Sequence, residues 1–155
     1  MTRVTLLLFF LIFAATASTP KAQVKECEYE MVVSTGPTRG PSHKLRVILE
    51  AVGGENINTT NLIKDWGAMG RKYTYFLPNT EDRFKTREAC LPYSFCNVYI
   101  IGKKGELNPH WYINSITVTT KGDGINRLKT FSMLDGHEIA YTNPPISKGE
   151  CGDLT

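Results

Sequence analysis

Four cysteines are the residues of this sequence whose type and spacing most directly indicate chemistry. Cys90 and Cys96 have five residues between them in CLPYSFC, whereas Cys27 and Cys151 bracket most of the chain. No Cys-x-x-Cys pair occurs and the histidines lie apart in sequence, so a zinc site is disfavoured. In an oxidising compartment four thiols predict two disulfides, with three alternative pairings. Pro92 helps the short segment fold back as a loop, so we expect Cys90 to bond to Cys96. Cys27 would then bond to Cys151 and tie together the ends of the domain.

The first 17 residues indicate the compartment. Arg3 supplies a positive charge, and residues 4–15 (VTLLLFFLIFAA) form an apolar run shorter than the roughly 20 residues that an uncleaved anchor would need. Ala15-Thr16-Ala17 is a small-x-small cleavage site, so we expect a signal peptide over residues 1–17, with cleavage there or as late as residue 23. Cleavage after residue 17 leaves 138 residues and lowers the net charge from +3 to +2. We therefore expect a single domain over residues 24–155, secreted through the endoplasmic reticulum to the extracellular space or apoplast.

Composition and motifs exclude several classes of protein. With 41% hydrophobic and 21% charged residues, the chain fits one globular domain and is not a coiled coil or a disordered tail. No basic run is long enough for a nucleic-acid binder, so we expect no nucleic-acid partner. His43, His110 and His137 stand in polar contexts flanked by Gly or Pro, and no G-x-S-x-G, H-E-x-x-H or P-loop motif is present. The sequence therefore predicts a protein that is not an enzyme.

The remaining polar residues give weaker indications. Asn58-Thr59-Thr60 is an N-glycosylation sequon, which we expect on a surface loop of a glycoprotein. We interpret Glu81, Asp82 and Asp123 as solvated loop charges. Scattered loop carboxylates are compatible with calcium, but no calcium motif is present. We expect no cofactor, and the identity of any metal stays open.

Short strands between turns must position these side chains. In residues 28–34, Tyr29, Met31 and Val33 alternate with mostly polar residues, which predicts a half-buried strand. Residues 44–52 fit both a strand and one face of a helix, and periodicity alone leaves the alternatives open. Aromatic and β-branched segments bounded by Gly, Pro, Asn or Asp predict further strands over residues 72–77, 97–101, 111–119, 128–133 and 138–142. The pattern predicts an all-β sandwich or barrel.

The two tryptophans stand in different contexts. Trp66 and Met69 lie beside glycines in DWGAMG, where large apolar groups either fold under or project outward as a tip. We take both as candidate contacts with a membrane or another ligand. Trp111 and Tyr112 begin the longest predicted strand, and we interpret them as structural aromatic residues of the core.

Several segments, taken in order and spacing, carry a family resemblance. They are the opening Cys27-Glu28-Tyr29 followed by VVSTG, then NLIKDWGAMGRKYTYF, ACLPYSFC and HWYINSITVTT. Together they resemble the small plant PLAT-domain proteins that are associated with stress responses, a family named after polycystin, lipoxygenase and alpha-toxin. The resemblance covers about residues 27–120 and is looser toward Cys151.

The resemblance implies a PLAT-type β-sandwich of two antiparallel four-stranded sheets. It also implies a strand over residues 44–50 and a module that binds lipid or protein without catalysis. The G-T-D element of the family reads Gly40-Pro41-Ser42 here, which argues against a calcium contact from that loop. Calcium-dependent membrane docking is therefore the lesser hypothesis.

Two classes of function follow from the sequence. The first is a secreted binding module for plant stress responses, in which Trp66 and Met69 contact a membrane lipid surface or a protein partner. The alternative is an extracellular enzyme inhibitor or a carbohydrate-binding β-sandwich protein. A small hydrolase is a distant third, because it would require a His beside Ser, or a pair of carboxylates, in a cleft.

Overall fold

A computed structural model describes residues 25–41, 44–102, 111–132, 146–149 and 151. The predicted signal peptide, Ser42, the three histidines and the predicted strand over residues 138–142 lie outside the described residues. Within them, no helix is long and apolar enough to cross a membrane. The elements in chain order are β1 (Glu26–Thr35), β2 (Leu45–Ala51), β3 (Asn56–Thr59), α1 (Leu62–Trp66), β4 (Glu81–Ala89), β5 (Phe95–Gly102), β6 (Ile113–Gly122), β7 (Ile125–Ser132) and β8 (Ile146–Gly149).

The strands form two antiparallel sheets. Sheet A has the order β4-β1-β6-β7, and sheet B has the order β3-β2-β5-β8. All of the strand pairs within these sheets are antiparallel. The described fold is therefore nearly all-β, as the sequence predicts, with one five-residue helix.

The inward faces of the two sheets share one buried cluster. Side chains alternate along β1, where Tyr29, Met31 and Val33 are buried and the residues between them are partly exposed. In sheet B, β2 and β5 contribute further members of the same cluster. The ring of Tyr29 meets the ring of Phe95 edge-on, at 5.7 Å between centroids, which joins β1 to β5. The two sheets therefore pack face to face.

Local pattern locates most strands but is wrong about one segment. β1 and β5 cover the strands predicted over residues 28–34 and 97–101, and β2 resolves the ambiguous residues 44–52 in favour of a strand. β6 and β7 overlap the strands predicted over residues 111–119 and 128–133, but β6 begins at Ile113, so Trp111 and Tyr112 precede it. Residues 72–77 are not a strand, because consecutive Tyr75 and Phe76 are both buried and Phe76 has a φ of 57°. Their rings pack on Phe84, at 5.1 and 5.7 Å between centroids, as an aromatic loop over the core.

The disulfides pair differently from the expectation. Cys27 is bonded to Cys90, and Cys96 is bonded to Cys151. Strand register explains the first bond, since β1 pairs with β4 up to Glu26 opposite Ala89, and Cys90 follows directly. It explains the second as well, since Asn97 lies opposite Gly149 and brings the end of β8 beside the start of β5. The predicted Cys90–Cys96 and Cys27–Cys151 bonds are therefore wrong.

Candidate functional site

Trp66 lies inside the protein at the end of α1. Its side chain is 6% exposed and belongs to the core cluster, as does Leu62 four residues earlier on the same face of the helix. Asn61 caps the helix by accepting a hydrogen bond from the Lys64 N–H at 3.3 Å. The expectation that Trp66 projects toward a ligand is corrected: the short helix folds it under.

Met69 remains at the surface, on the segment that leads from α1 to β4. Its side chain is 37% exposed, and residues 67–72 (GAMGRK) are all exposed. We call these six residues the Met69 tip. The hydrogen bonds of its backbone include one from the Ala68 N–H to the Arg83 carbonyl at 3.1 Å and one from the Met69 N–H to the Tyr75 hydroxyl at 2.9 Å. The tip is therefore attached to β4 and to a buried aromatic residue while its side chains face solvent.

Basic side chains accompany Met69. Arg71 and Lys72 are exposed, and neither forms an ion pair within the part of the chain that the structure describes. Lys64 is exposed on α1 nearby in sequence. The neighbouring Asp65 carboxylate accepts a hydrogen bond from the Thr59 hydroxyl at 2.5 Å, which ties α1 to β3. The tip thus combines an accessible apolar side chain with two cations that no described carboxylate neutralises.

Tyr93 is a second exposed aromatic position, on the loop of residues 90–96. It is 45% exposed, although a disulfide fixes the loop at each end. The Leu91 N–H donates to the Tyr29 hydroxyl at 2.9 Å. Arg127 donates to the carbonyls of Leu91 and Pro92 at 3.2 and 2.8 Å. The loop therefore presents Tyr93 on a backbone held by both sheets.

Leu128 is the most exposed of the three large apolar side chains that stand out on the described surface. It is 70% exposed on β7, where its opposite residue on β6 is Thr119. Thr117 and Thr130 occupy the next row of the same outward face, with 3.1 Å between their hydroxyl oxygens. Leu128 therefore stands among hydroxyl side chains rather than in an apolar patch.

Trp111 lies in the core, and Tyr112 is half-buried beside it. Trp111 is 1% exposed and its ring centroid lies 4.8 Å from that of Phe76. A Cβ added at Gly40 would lie 2.6 Å from the Trp111 Nε1 atom, so only glycine fits there. The Tyr112 carbonyl accepts a hydrogen bond from the Gly36 N–H at 2.8 Å. Both residues thus help to join the segment after β1 to β6.

The carboxylates differ from each other in environment. Asp82 is fully buried on β4, so its interpretation as a solvated loop charge is wrong. Its Oδ2 atom accepts a hydrogen bond from the Phe76 N–H at 2.9 Å, and Oδ1 has no partner among the described residues. Burial raises the pKa of Asp82 above its ordinary value, while the Phe76 hydrogen bond opposes the shift. Asp123 does lie in a turn, where its carboxylate is 2.7 Å from the Lys25 ammonium.

The described residues contain no group of three or more His, Cys, Asp or Glu side chains arranged to hold a metal ion. Asn58, expected on a loop, lies instead in β3 with its side chain exposed.

Two plant proteins are similar to this chain over much of its length. PLAT domain-containing protein 1 of Arabidopsis thaliana is 29% identical over 126 residues, which are 79% of this chain and 70% of that protein. PLAT domain-containing protein 2 of the same plant is 29% identical over 99 residues, 63% of this chain and 54% of that protein. The chain is similar to these two plant PLAT-domain proteins. No family model matches it. The predicted PLAT resemblance is thus confirmed by two similar proteins.

The segments that carried the PLAT resemblance contribute to both exposed positions. NLIKDWGAMGRKYTYF contains α1, the Met69 tip and the aromatic loop over Phe84, and ACLPYSFC contains the loop that presents Tyr93. The segments on which the sequence resemblance rests therefore hold both exposed positions.

Proposed function

We propose that the chain is a PLAT-type β-sandwich that acts as a secreted, non-catalytic binding module for anionic membrane lipid surfaces in a plant stress response. The PLAT relatives and the two facing antiparallel sheets support the sandwich. The apolar run of residues 4–15 and the two disulfides support secretion. The stress role rests on the family resemblance.

The Met69 tip is the observation that carries lipid binding. A basic residue close to an anionic membrane contributes about 1 kcal/mol, so Arg71 and Lys72 together supply about 2 kcal/mol. Full burial of a Met side chain is worth about 1.5–3 kcal/mol, and Met69 has only part of its surface left to bury. The two basic side chains of the tip therefore contribute more to binding than Met69 does, and we expect weak, reversible binding that depends on salt.

Vesicle flotation tests this proposal. Residues 24–155 with both disulfides formed are mixed with phosphatidylcholine vesicles, with and without phosphatidylserine. We expect binding only when phosphatidylserine is present, with a several-fold loss at high salt. The double variant Arg71→Glu and Lys72→Glu should abolish binding, and Met69→Asp should weaken it several-fold.

Leu128→Asp is the matched control, because Leu128 is also an exposed apolar residue but lies on β7. It should bind as the wild type does. Absence of binding to phosphatidylserine, or full binding by the double charge variant, would contradict the proposal.

Tyr93 favours a second candidate function, an extracellular enzyme inhibitor or carbohydrate binder. An exposed aromatic ring on a fixed backbone loses little conformational entropy on binding, which suits recognition of a protein or a sugar. A glycan array with a parallel lipid overlay separates the two candidates. Glycan binding that needs no lipid and is lost in Tyr93→Ala would support this alternative.

A further inference from the structure

We propose that Asn58 carries an N-linked glycan that covers the outward face of sheet B. The proposal rests on the secretion proposed above, because N-glycans are attached in the secretory pathway. Asn58 lies on a different surface from the Met69 tip. Lipid binding by the tip therefore does not require the glycan.

The strand geometry presents the sequon outward. Asn58 and Thr60 are exposed, whereas Thr59 between them is 5% exposed and bonded to Asp65. Side chains alternate along a strand, so the buried Thr59 anchors β3 while its two neighbours face solvent. The Asn58 amide nitrogen donates to the Asn56 side-chain oxygen at 3.0 Å. That bond lies within the exposed surface and leaves Asn58 accessible.

Strand register places two partly exposed side chains, Ile48 and Tyr99, on the same face as Asn58. Asn58 lies opposite Ile48 on β2, and Ile48 lies opposite Tyr99 on β5. All three face outward, and Ile48 and Tyr99 are partly exposed. Neighbouring strands are about 4.8 Å apart, so Ile48 lies one strand, about 5 Å, from Asn58, and Tyr99 lies two strands, about 10 Å, from it. A glycan core that lies along the sheet spans this distance.

The Tyr99 ring is held in position to contact such a glycan. Its hydroxyl donates to a Glu50 carboxylate oxygen at 2.9 Å, which directs the ring from β5 toward β2 and therefore toward β3. Ile101 is also partly exposed on this face, opposite Arg46. The outward face of sheet A instead carries one exposed apolar side chain, Leu128, among Thr and Ser side chains, and a set of ion pairs between β4 and β1. Among the described residues, Ile48, Tyr99 and Ile101 are thus the partly exposed apolar side chains on the face that carries the sequon.

β3 is also the edge strand of sheet B. It has four residues and, within the described chain, pairs only with β2. Unpaired backbone groups of an edge strand invite pairing with another chain, and a glycan in the middle of the strand blocks that approach. Covering the face and protecting the edge are both consequences of one modification.

The first experiment asks whether Asn58 is modified. Residues 24–155 are secreted from a glycosylating eukaryotic host behind the signal peptide of that host, and intact mass is measured before and after treatment with a glycosidase specific for N-glycans. We expect one glycan on the wild type and none on Thr60→Ala, which retains Asn58. Secreted protein with unmodified Asn58 overturns the proposal.

The second experiment asks whether the glycan covers sheet B. Hydroxyl-radical oxidation of Tyr99 should be several-fold lower in the glycosylated wild type than in Thr60→Ala, with Tyr93 oxidised equally in both. As a control, Leu128→Asn completes an Asn-x-Thr sequon with Thr130 on sheet A and is combined with Thr60→Ala. This relocated glycan should leave Tyr99 as reactive as in Thr60→Ala.

Equal oxidation of Tyr99 in the glycosylated and unglycosylated proteins overturns the covering role. Vesicle flotation of the same samples, and a fusion of residues 1–23 to a reporter protein, test lipid binding and native secretion separately. Failure of the glycan proposal is therefore distinguishable from failure of the proposed function.

Discussion

At the scale of single residues, Asp82 is the side chain whose environment makes stability depend on pH. It is buried, and burial raises the pKa of its carboxyl in the folded protein above the ordinary value. The folded state therefore binds this proton more tightly than the unfolded state does. The contribution of Asp82 to stability is complete below about pH 4 and is lost as pH rises through the raised pKa.

We expect Asp82→Asn to weaken this dependence. An Asn oxygen still accepts the hydrogen bond from Phe76, but the side chain does not ionise. The free energy of unfolding, measured with urea between about pH 4 and 7 with disulfides intact, should fall less steeply with pH than in the wild type. Glu81→Gln changes an exposed neighbour and should retain the wild-type slope. An unchanged slope in Asp82→Asn would contradict the prediction.

At the scale of elements, α1 is a structural helix because it buries Trp66. Truncation of a buried Trp typically costs about 3–5 kcal/mol, so Trp66→Ala should lower the free energy of unfolding by that amount. Met69→Ala, three residues later and exposed, should change it by less than about 0.5 kcal/mol. Urea unfolding of both variants provides the measurement. If Trp66→Ala had wild-type stability but no longer bound vesicles, Trp66 would be a residue that contacts the lipid surface.

The two disulfides stabilise different elements. They close loops of similar length, with sequence separations of 63 and 55 residues, so chain entropy alone assigns each about 4 kcal/mol. Cys27 lies in β1, which is central in sheet A, whereas Cys151 follows the four-residue edge strand β8. We expect Cys96→Ser with Cys151→Ser to accelerate amide exchange in β8 more than in β1. Equal acceleration of amide exchange in β1 and β8 would show that the Cys96–Cys151 bond does not stabilise β8 in particular.

At the scale of the whole molecule, the shared core predicts one cooperative unit. Trp66 lies at the end of α1 and Trp111 two residues before β6, and both belong to the same buried cluster. In Trp66→Phe and in Trp111→Phe, the remaining tryptophan reports on one part of this cluster. Within each variant, fluorescence and circular dichroism should give the same urea midpoint with disulfides intact. Separate midpoints would show that parts of the molecule unfold independently.

Residue types and their spacing are sufficient to predict the features that depend on neighbouring residues. Alternation of Tyr29, Met31 and Val33 was sufficient for β1, because side chains of a strand point to opposite faces at every second residue. The same rule could have located β4, where buried Asp82 and Phe84 alternate with exposed charges. The charged composition hid that pattern. The PLAT resemblance also required only residue types and spacing.

Tertiary structure alone decided which distant residues meet. The pairing of Cys27 with Cys90 follows from the register of β1 against β4, and the burial of Asp82 follows from an aromatic loop that folds back over β4. Trp66 and Met69 lie beside glycines in the same segment, so their neighbours in sequence do not distinguish them. The short helix α1 turns Trp66 inward, whereas Met69 stays exposed. Periodicity reports which face of its own element a residue occupies. Contacts between elements arise only when the sheets pair and close on one core.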